Sequence, residues 1–152
     1  MERYLPSARD TWSWRPAQAR DVPDIVELVD TNYSGEIEDV IFTKNPTRLH
    51  YSLHRAILEM TYIPSQQLIN VARDLNTDEL VAWSWIERGK YTVYSDEEMA
   101  CAEFAHVDLS LPLRTRMTLT AQILMSWIMW CQINHIPVLT SSTMRRDQAG
   151  FM

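Results

Sequence analysis

The sequence predicts an α/β domain, a mixed sheet covered by helices on both faces. Three observations carry that reading. Hydrophobic periodicities run in the order β-α-α-β-β-β-α-β, with a further helix beginning at the end. Strands that alternate with crossing helices need a helical layer on each side of a sheet. The 152 residues, 46% hydrophobic and 22% charged, supply one core that needs neither disulfide nor metal to fold.

Residues 1–11 read as a flexible polar arm and residues 12–152 as one domain. Trp12-Ser13-Trp14 alternates as a half-buried strand does, and Arg15-Pro16 closes it. Asp21 caps a first helix with Pro23 and Asp24 in its opening turn. Ile25, Leu28 and Val29 follow at helical spacing, and Ser34-Gly35 reads as the stop before a mixed-charge stretch, Glu36 to Lys44. Asn45-Pro46 opens a second helix, whose apolar face is Leu49, Leu53, Ala56, Ile57 and Met60. His50 and His54 stand one turn apart on it. Without a Glu or third His at ligand spacing they read as solvated helix surface, and no metal is expected.

Gln67–Arg73 and Leu80–Glu87 make a hairpin around the Asp- and Asn-rich turn 74–78. Trp83 and Trp85 share one of its faces, and Ala82, Ser84 and Ile86 share the other. A loop, Arg88 to Met99, leads to a strand over Ala100–Leu109, bounded by Pro112. Arg114–Gln132 is a long helix with Leu119, Ile123, Leu124, Trp127, Ile128 and Cys131 on its broad apolar face. A short strand over Val138–Ser142 follows, and Met144 onward begins another helix.

Charge narrows the partners. Fourteen basic against twenty acidic residues leave −6, so the chain has no general pull on nucleic acid or anionic lipid. Met117 to Met144 lacks charged residues, yet Thr118, Thr120, Gln122, Ser126, Gln132, Asn134 and His135 interrupt it. It reads as a buried helix and strand, and no membrane span is expected. Cys101 and Cys131 lack CxxC spacing, and the N-terminus has no apolar leader, which together suit a reducing cytoplasm. The six tryptophans read as core and half-core fillers.

Trp14-Arg15-Pro16-Ala17 through Asp21-Val22-Pro23-Asp24-Ile25-Val26-Glu27-Leu28, with the element order that follows, resembles the opening of the GNAT family of N-acetyltransferases. The resemblance covers roughly residues 12–152 and implies the GNAT fold, with acetyl-CoA as cofactor and an amine acceptor, small molecule or protein. In that family the fourth strand runs into a turn, Arg/Gln-x-x-Gly-x-Gly/Ala, that opens the long helix. Its backbone N–H groups hold the cofactor pyrophosphate where partial positive charge favours anions. The matching residues are Arg114, Thr115, Arg116, Met117, Thr118 and Leu119, with Val107 on the strand before them. Met117 stands where the family has its first glycine and Leu119 where it has glycine or alanine, so two side chains are expected near the pyrophosphate space. Arg114 and Arg116 offer charge in compensation.

The resemblance also implies a carboxylate base on the fourth strand. Glu103 is the first candidate and His106 the second. A two-residue period puts Ala105 and Val107 on the face of Glu103, and His106 and Asp108 on the other. Family members continue with a helix bearing a Tyr general acid and two more strands. Met144-Arg145-Arg146-Asp147-Gln148 resembles the start of that helix, with nothing supplying the Tyr, so the domain reads as cut short or eroded there. An exposed edge on Val138–Ser142 would invite pairing, which implies self-association or a protein partner. The eroded cradle and the tail Ser141 to Arg146 are similar to GNAT-like proteins of short-tailed phages. That similarity implies a virion or assembly role, in the host cytoplasm or the particle. Two functions follow: a GNAT-fold protein that acts by binding, or an active N-acetyltransferase.

Overall fold

The computed structural model describes residues 11–40 and 45–141, and for 33–40 the backbone alone. Among the described residues five strands form one sheet, in the order β1-β2-β3-β4-β5. They are β1 Trp12–Pro16, β2 Gln67–Asp74, β3 Leu80–Lys90, β4 Met99–Val107 and β5 Val138–Thr140. The first four are antiparallel neighbours, and β5 runs parallel to β4. The helices are α1 Val22–Val40, α2 Pro46–Tyr62 and α3 Leu113–Ile133, with a single 3₁₀ turn, Ala19–Asp21, before α1. This is the predicted mixed α/β architecture. The flexible arm, except Thr11, and the helix expected from Met144 lie outside the described residues.

The two faces of the sheet bury separate cores. On one, Leu119, Ile123, Trp127 and Cys131 of α3 pack against Ala72, Ala82, Ile86, Ala100 and Val107. On the other, Val22, Ile25 and Leu28 of α1 and Leu53, Ala56, Ile57 and Met60 of α2 pack against Ile69, Val71 and Trp83. The hairpin faces therefore sort as the period of two predicts. Asn45 caps α2, accepting from the Arg48 N–H at 3.0 Å, with Pro46 in the first helical position.

Several boundaries differ from expectation; β4, for one, runs from Met99 to Val107, two residues short of Leu109. α1 runs through Ser34-Gly35 to Val40, because an interior glycine costs only about 1 kcal/mol against alanine and does not stop a helix by itself. β3 extends to Lys90, and Gly89 there adopts φ +88°, where a Cβ would be strained. α3 begins at Leu113, one residue ahead of Arg114, with Pro112 preceding it.

Long-range polar contacts fix the layers. Asp21 is fully buried and, in place of the expected capping of α1, ends the 3₁₀ turn and accepts from the Gln18 N–H at 2.7 Å. It receives both guanidinium nitrogens of Arg15, at 2.7 and 2.8 Å, and two more from Arg73 of β2, at 3.0 and 2.8 Å. Arg73 also reaches Asp24 at 2.7 Å. Across the sheet, Gln122 of α3 accepts from the indole N–H of both Trp12 and Trp14, at 2.8 and 2.6 Å. One amide oxygen thus ties β1 to α3.

Candidate functional site

β4 pairs with β5 over three residues only, Met99 to Cys101 opposite Val138 to Thr140. From Ala102 to Val107 that side of β4 has no strand partner among the described residues. Its other side stays paired to β3, but with a break in register: Trp85 faces Phe104, while the next residue, Ile86, faces Ala102. Glu103 is the extra residue. It forms a bulge where the β4–β5 pairing ends, and bulges re-aim side chains.

The bulge corrects the expected faces. Cys101 lies directly opposite Glu87, and Glu103 hydrogen-bonds to Glu87, so Glu103 points to the α1–α2 side of the sheet. Phe104 and His106 take the same side, stacked on Trp83 with ring centroids 5.7 and 5.6 Å away. Val107 turns the other way, into the α3 core. The simple two-residue period fails here because one inserted residue resets it.

Glu103 has its carboxyl pushed up to about 7. Desolvation against the strands is the largest cause, followed by the hydrogen bond to Glu87 and its charge, with Lys90 opposing. Glu103 is exposed, which tempers the first cause, so the carboxyl–carboxylate contact is the firmer one. Lys90 Nζ sits 3.3 Å from Glu87 Oε1, an ion pair beside the two carboxyls. His106 is buried within the aromatic stack, which gives it a packing role in this geometry.

The α3 N-terminus lies at the end of the turn that follows β4. Asp108 orders this turn by accepting from the N–H and hydroxyl of Ser110, at 2.9 and 2.7 Å. Asn32 of α1 accepts from the Leu109 N–H at 3.0 Å. The helix start has no side-chain cap and no acidic residue in its first turn. The Arg116 N–H closes the first helical bond, to the Pro112 carbonyl, which leaves the N–H groups of Leu113, Arg114 and Thr115 as the open donors of the terminus. Arg114 is exposed beside them, and Arg116 holds the turn through a bond from Nε to the Leu111 carbonyl at 3.1 Å.

Arg114 to Leu119 are therefore already helical and do not form the turn itself. Leu119 points into the core and is fully buried, so it does not crowd the helix end. Met117 is 63% exposed, one turn above Leu113. Thr118 bonds back to the Arg114 carbonyl at 3.0 Å, and Thr115 is half-buried. This terminus fits the charge of a pyrophosphate: three open N–H groups and an exposed guanidinium. Glycine for close backbone approach is absent from it.

Sequence reasoning missed Glu87, Lys90, Arg73, Asn32 and Gln122. Glu87, Arg73, Asn32 and Gln122 act across strands or layers, and no local spacing marks them; Lys90 pairs with Glu87 three residues back on the same strand. Among the described residues no group of three or more His, Cys, Asp or Glu is placed to hold a metal, and no helix is long and apolar enough to cross a membrane.

No family model matches the sequence, and no curated protein matches it. Solved structures do. Glucosamine-6-phosphate N-acetyltransferase from Arabidopsis thaliana superposes with a TM-score of 0.65 at 12% identity, covering 93% of this chain and 88% of that one. An aminoglycoside antibiotic 6'-N-acetyltransferase from Acinetobacter baumannii gives 0.64 at 13%, over 92% and 84%. A transcriptional regulator from Bacillus halodurans C-125 gives 0.66 at 18%, over 92% and 88%. At these identities the likeness establishes architecture, and the architecture of this chain is the GNAT acetyltransferase fold.

Proposed function

We propose that this chain is an acetyl-CoA-dependent N-acetyltransferase in which Glu103 is the general base. The observation that carries the reading is the bulge that sets Glu103 where the β4–β5 pairing ends. Glu103 serves the α1–α2 side of the sheet, while α3 packs on the opposite side. An amine acceptor and a cofactor can thus approach from opposite faces and meet beside the unpaired stretch of β4. Acetyl-CoA, when bound, supplies the activated acetyl group. The open N–H groups of Leu113, Arg114 and Thr115, with the Arg114 guanidinium, would hold its pyrophosphate.

Glu103 accepts the proton that the acceptor nitrogen loses. A base poised near pH 7 combines a useful ionised fraction with real basicity. Burial and the contact with Glu87 keep Glu103 in that range, and Lys90 pairs with Glu87. Backbone N–H groups along Ala102–Val107 are available to polarise a carbonyl. The neighbours named as acetyltransferases of a sugar phosphate and of an antibiotic support an amine acceptor as the substrate class.

A second reading is favoured by one observation: no glycine stands in Arg114–Leu119. In it the fold acts by binding a protein partner or a second copy, in its finer form within a short-tailed phage particle or its assembly. One experiment separates the two. Release of CoA thiol is followed from pH 5.5 to 9 with a panel of amines, for the wild type and Glu103→Gln. The enzyme reading expects an acid limb with a midpoint near 7 and a loss of about 10²–10⁴ in kcat for the variant. An unchanged kcat removes Glu103 from the mechanism. No turnover of any amine favours the binding role.

A further inference from the structure

We infer that His50 and His54 form a two-imidazole clamp for one divalent transition-metal ion, with the rest of its coordination sphere open to the cleft between α1 and α2. Both residues lie on α2, one turn apart, so their side chains project from the same strip of helix. Their Nε2 atoms approach to 3.2 Å. Two nitrogens bound to a tetrahedral ion at ~2.0–2.1 Å each stand ~3.3 Å apart, so the rings already hold nearly that separation. Nitrogens this close cannot both carry a hydrogen, so at least one lone pair is directed into the gap. The ring planes are inclined by 53° with centroids 4.8 Å apart, so it is the nitrogen edges that converge and not the ring faces.

The clamp opens into a cleft of about 520 Å³ lined by Val26, Pro46, Thr47, His50, Tyr51 and His54. Among the described residues that lining has no carboxylate, which disfavours magnesium and calcium. Imidazole nitrogen suits zinc, nickel and copper, with copper held most tightly. Water or an oxygen- or nitrogen-bearing ligand in the cleft completes the sphere. The spacing of the pair is plain in the sequence. The convergence of the two nitrogens is not, because it depends on both side-chain torsions. None of these residues belongs to the acetyl-transfer site, so this inference stands apart from that reading.

The test is a calorimetric titration of Cu²⁺ into the full chain without an affinity tag, with electron paramagnetic resonance of the copper-loaded protein. The expected result is one Cu²⁺ per chain, hyperfine coupling from imidazole nitrogen, and affinity weakened about tenfold or more in His50→Gln and in His54→Gln separately. His135→Asn, whose backbone sits at φ 57° where Asn is tolerated, should bind as the wild type does. His50 is half-buried and His54 exposed, so both Gln variants should keep the wild-type circular dichroism and metal-free Tm. Affinity within twofold of wild type in either single variant, or no saturable binding at millimolar Cu²⁺, overturns the inference.

Discussion

Two carboxyl sites in this molecule are driven in opposite directions. Asp21 has no exposed side-chain surface, yet its carboxyl is held down at about 2. Glu103 is partly open to water, yet its carboxyl is raised to about 7. For both, desolvation pushes upward and is the largest cause. The partners decide the outcome. Asp21 meets the guanidinium groups of Arg15 and Arg73 and the N–H of Gln18, whereas Glu103 meets another carboxylate. The first arrangement locks β1, β2 and the start of α1 together. The second stores a titratable proton beside an unpaired strand. The proposed role of Glu103 draws on that difference.

The comparison can be broken most forcefully at Asp21. Asp21→Asn leaves two guanidinium groups facing a neutral amide and should cost about 3–5 kcal/mol, read from urea unfolding at pH 7. A loss below about 1 kcal/mol would mean the network contributes little. Next comes the other layer. Gln122→Leu removes the acceptor of two indole N–H groups and should cost about 2–3 kcal/mol, since orphaned donors carry their desolvation penalty. A cost equal to that of an exposed substitution would contradict the shared bond.

The acid limb of stability follows from Asp21. Its folded pKa lies below the ordinary 3.8, so its contribution is present above that value and lost as pH falls toward 2. Roughly 2 kcal/mol should disappear over that window, and Asp21→Asn should flatten it. Glu103 has the reverse sign. Its folded pKa is raised above 4.5, so the penalty of ionising it grows as pH climbs from 4.5 through 7. Glu87→Gln should return Glu103 toward the ordinary carboxyl range and, with solvent nearby, change stability at pH 8 by less than about 1 kcal/mol. Carbon-detected NMR of the Glu103 carboxyl would read that change. An unmoved midpoint would sever the pair.

Much of the fold was legible because local pattern and burial agree. Asn45-Pro46 announced α2, and the alternation of Trp83 and Trp85 placed the hairpin faces. The failures have a common origin in distance. Ser34-Gly35 is a local stop signal that the helix overrides. The bulge at Glu103 exists only in relation to Trp85 and Ile86 on the neighbouring strand. Glu103 could be named from the resemblance, but its face and its partner Glu87 could not. The spacing puts Arg114–Leu119 at the start of the long helix but does not give the direction of Leu119. Once the helix starts at Leu113, Leu119 belongs to the core and leaves only Met117 exposed near the terminus.

The most direct measurement is a calorimetric titration of acetyl-CoA into the full chain, beside Arg114→Ala. The account predicts saturable binding at micromolar to low millimolar concentration, weakened about tenfold by loss of the guanidinium at the α3 terminus. Absence of binding, or binding indifferent to Arg114, would contradict it.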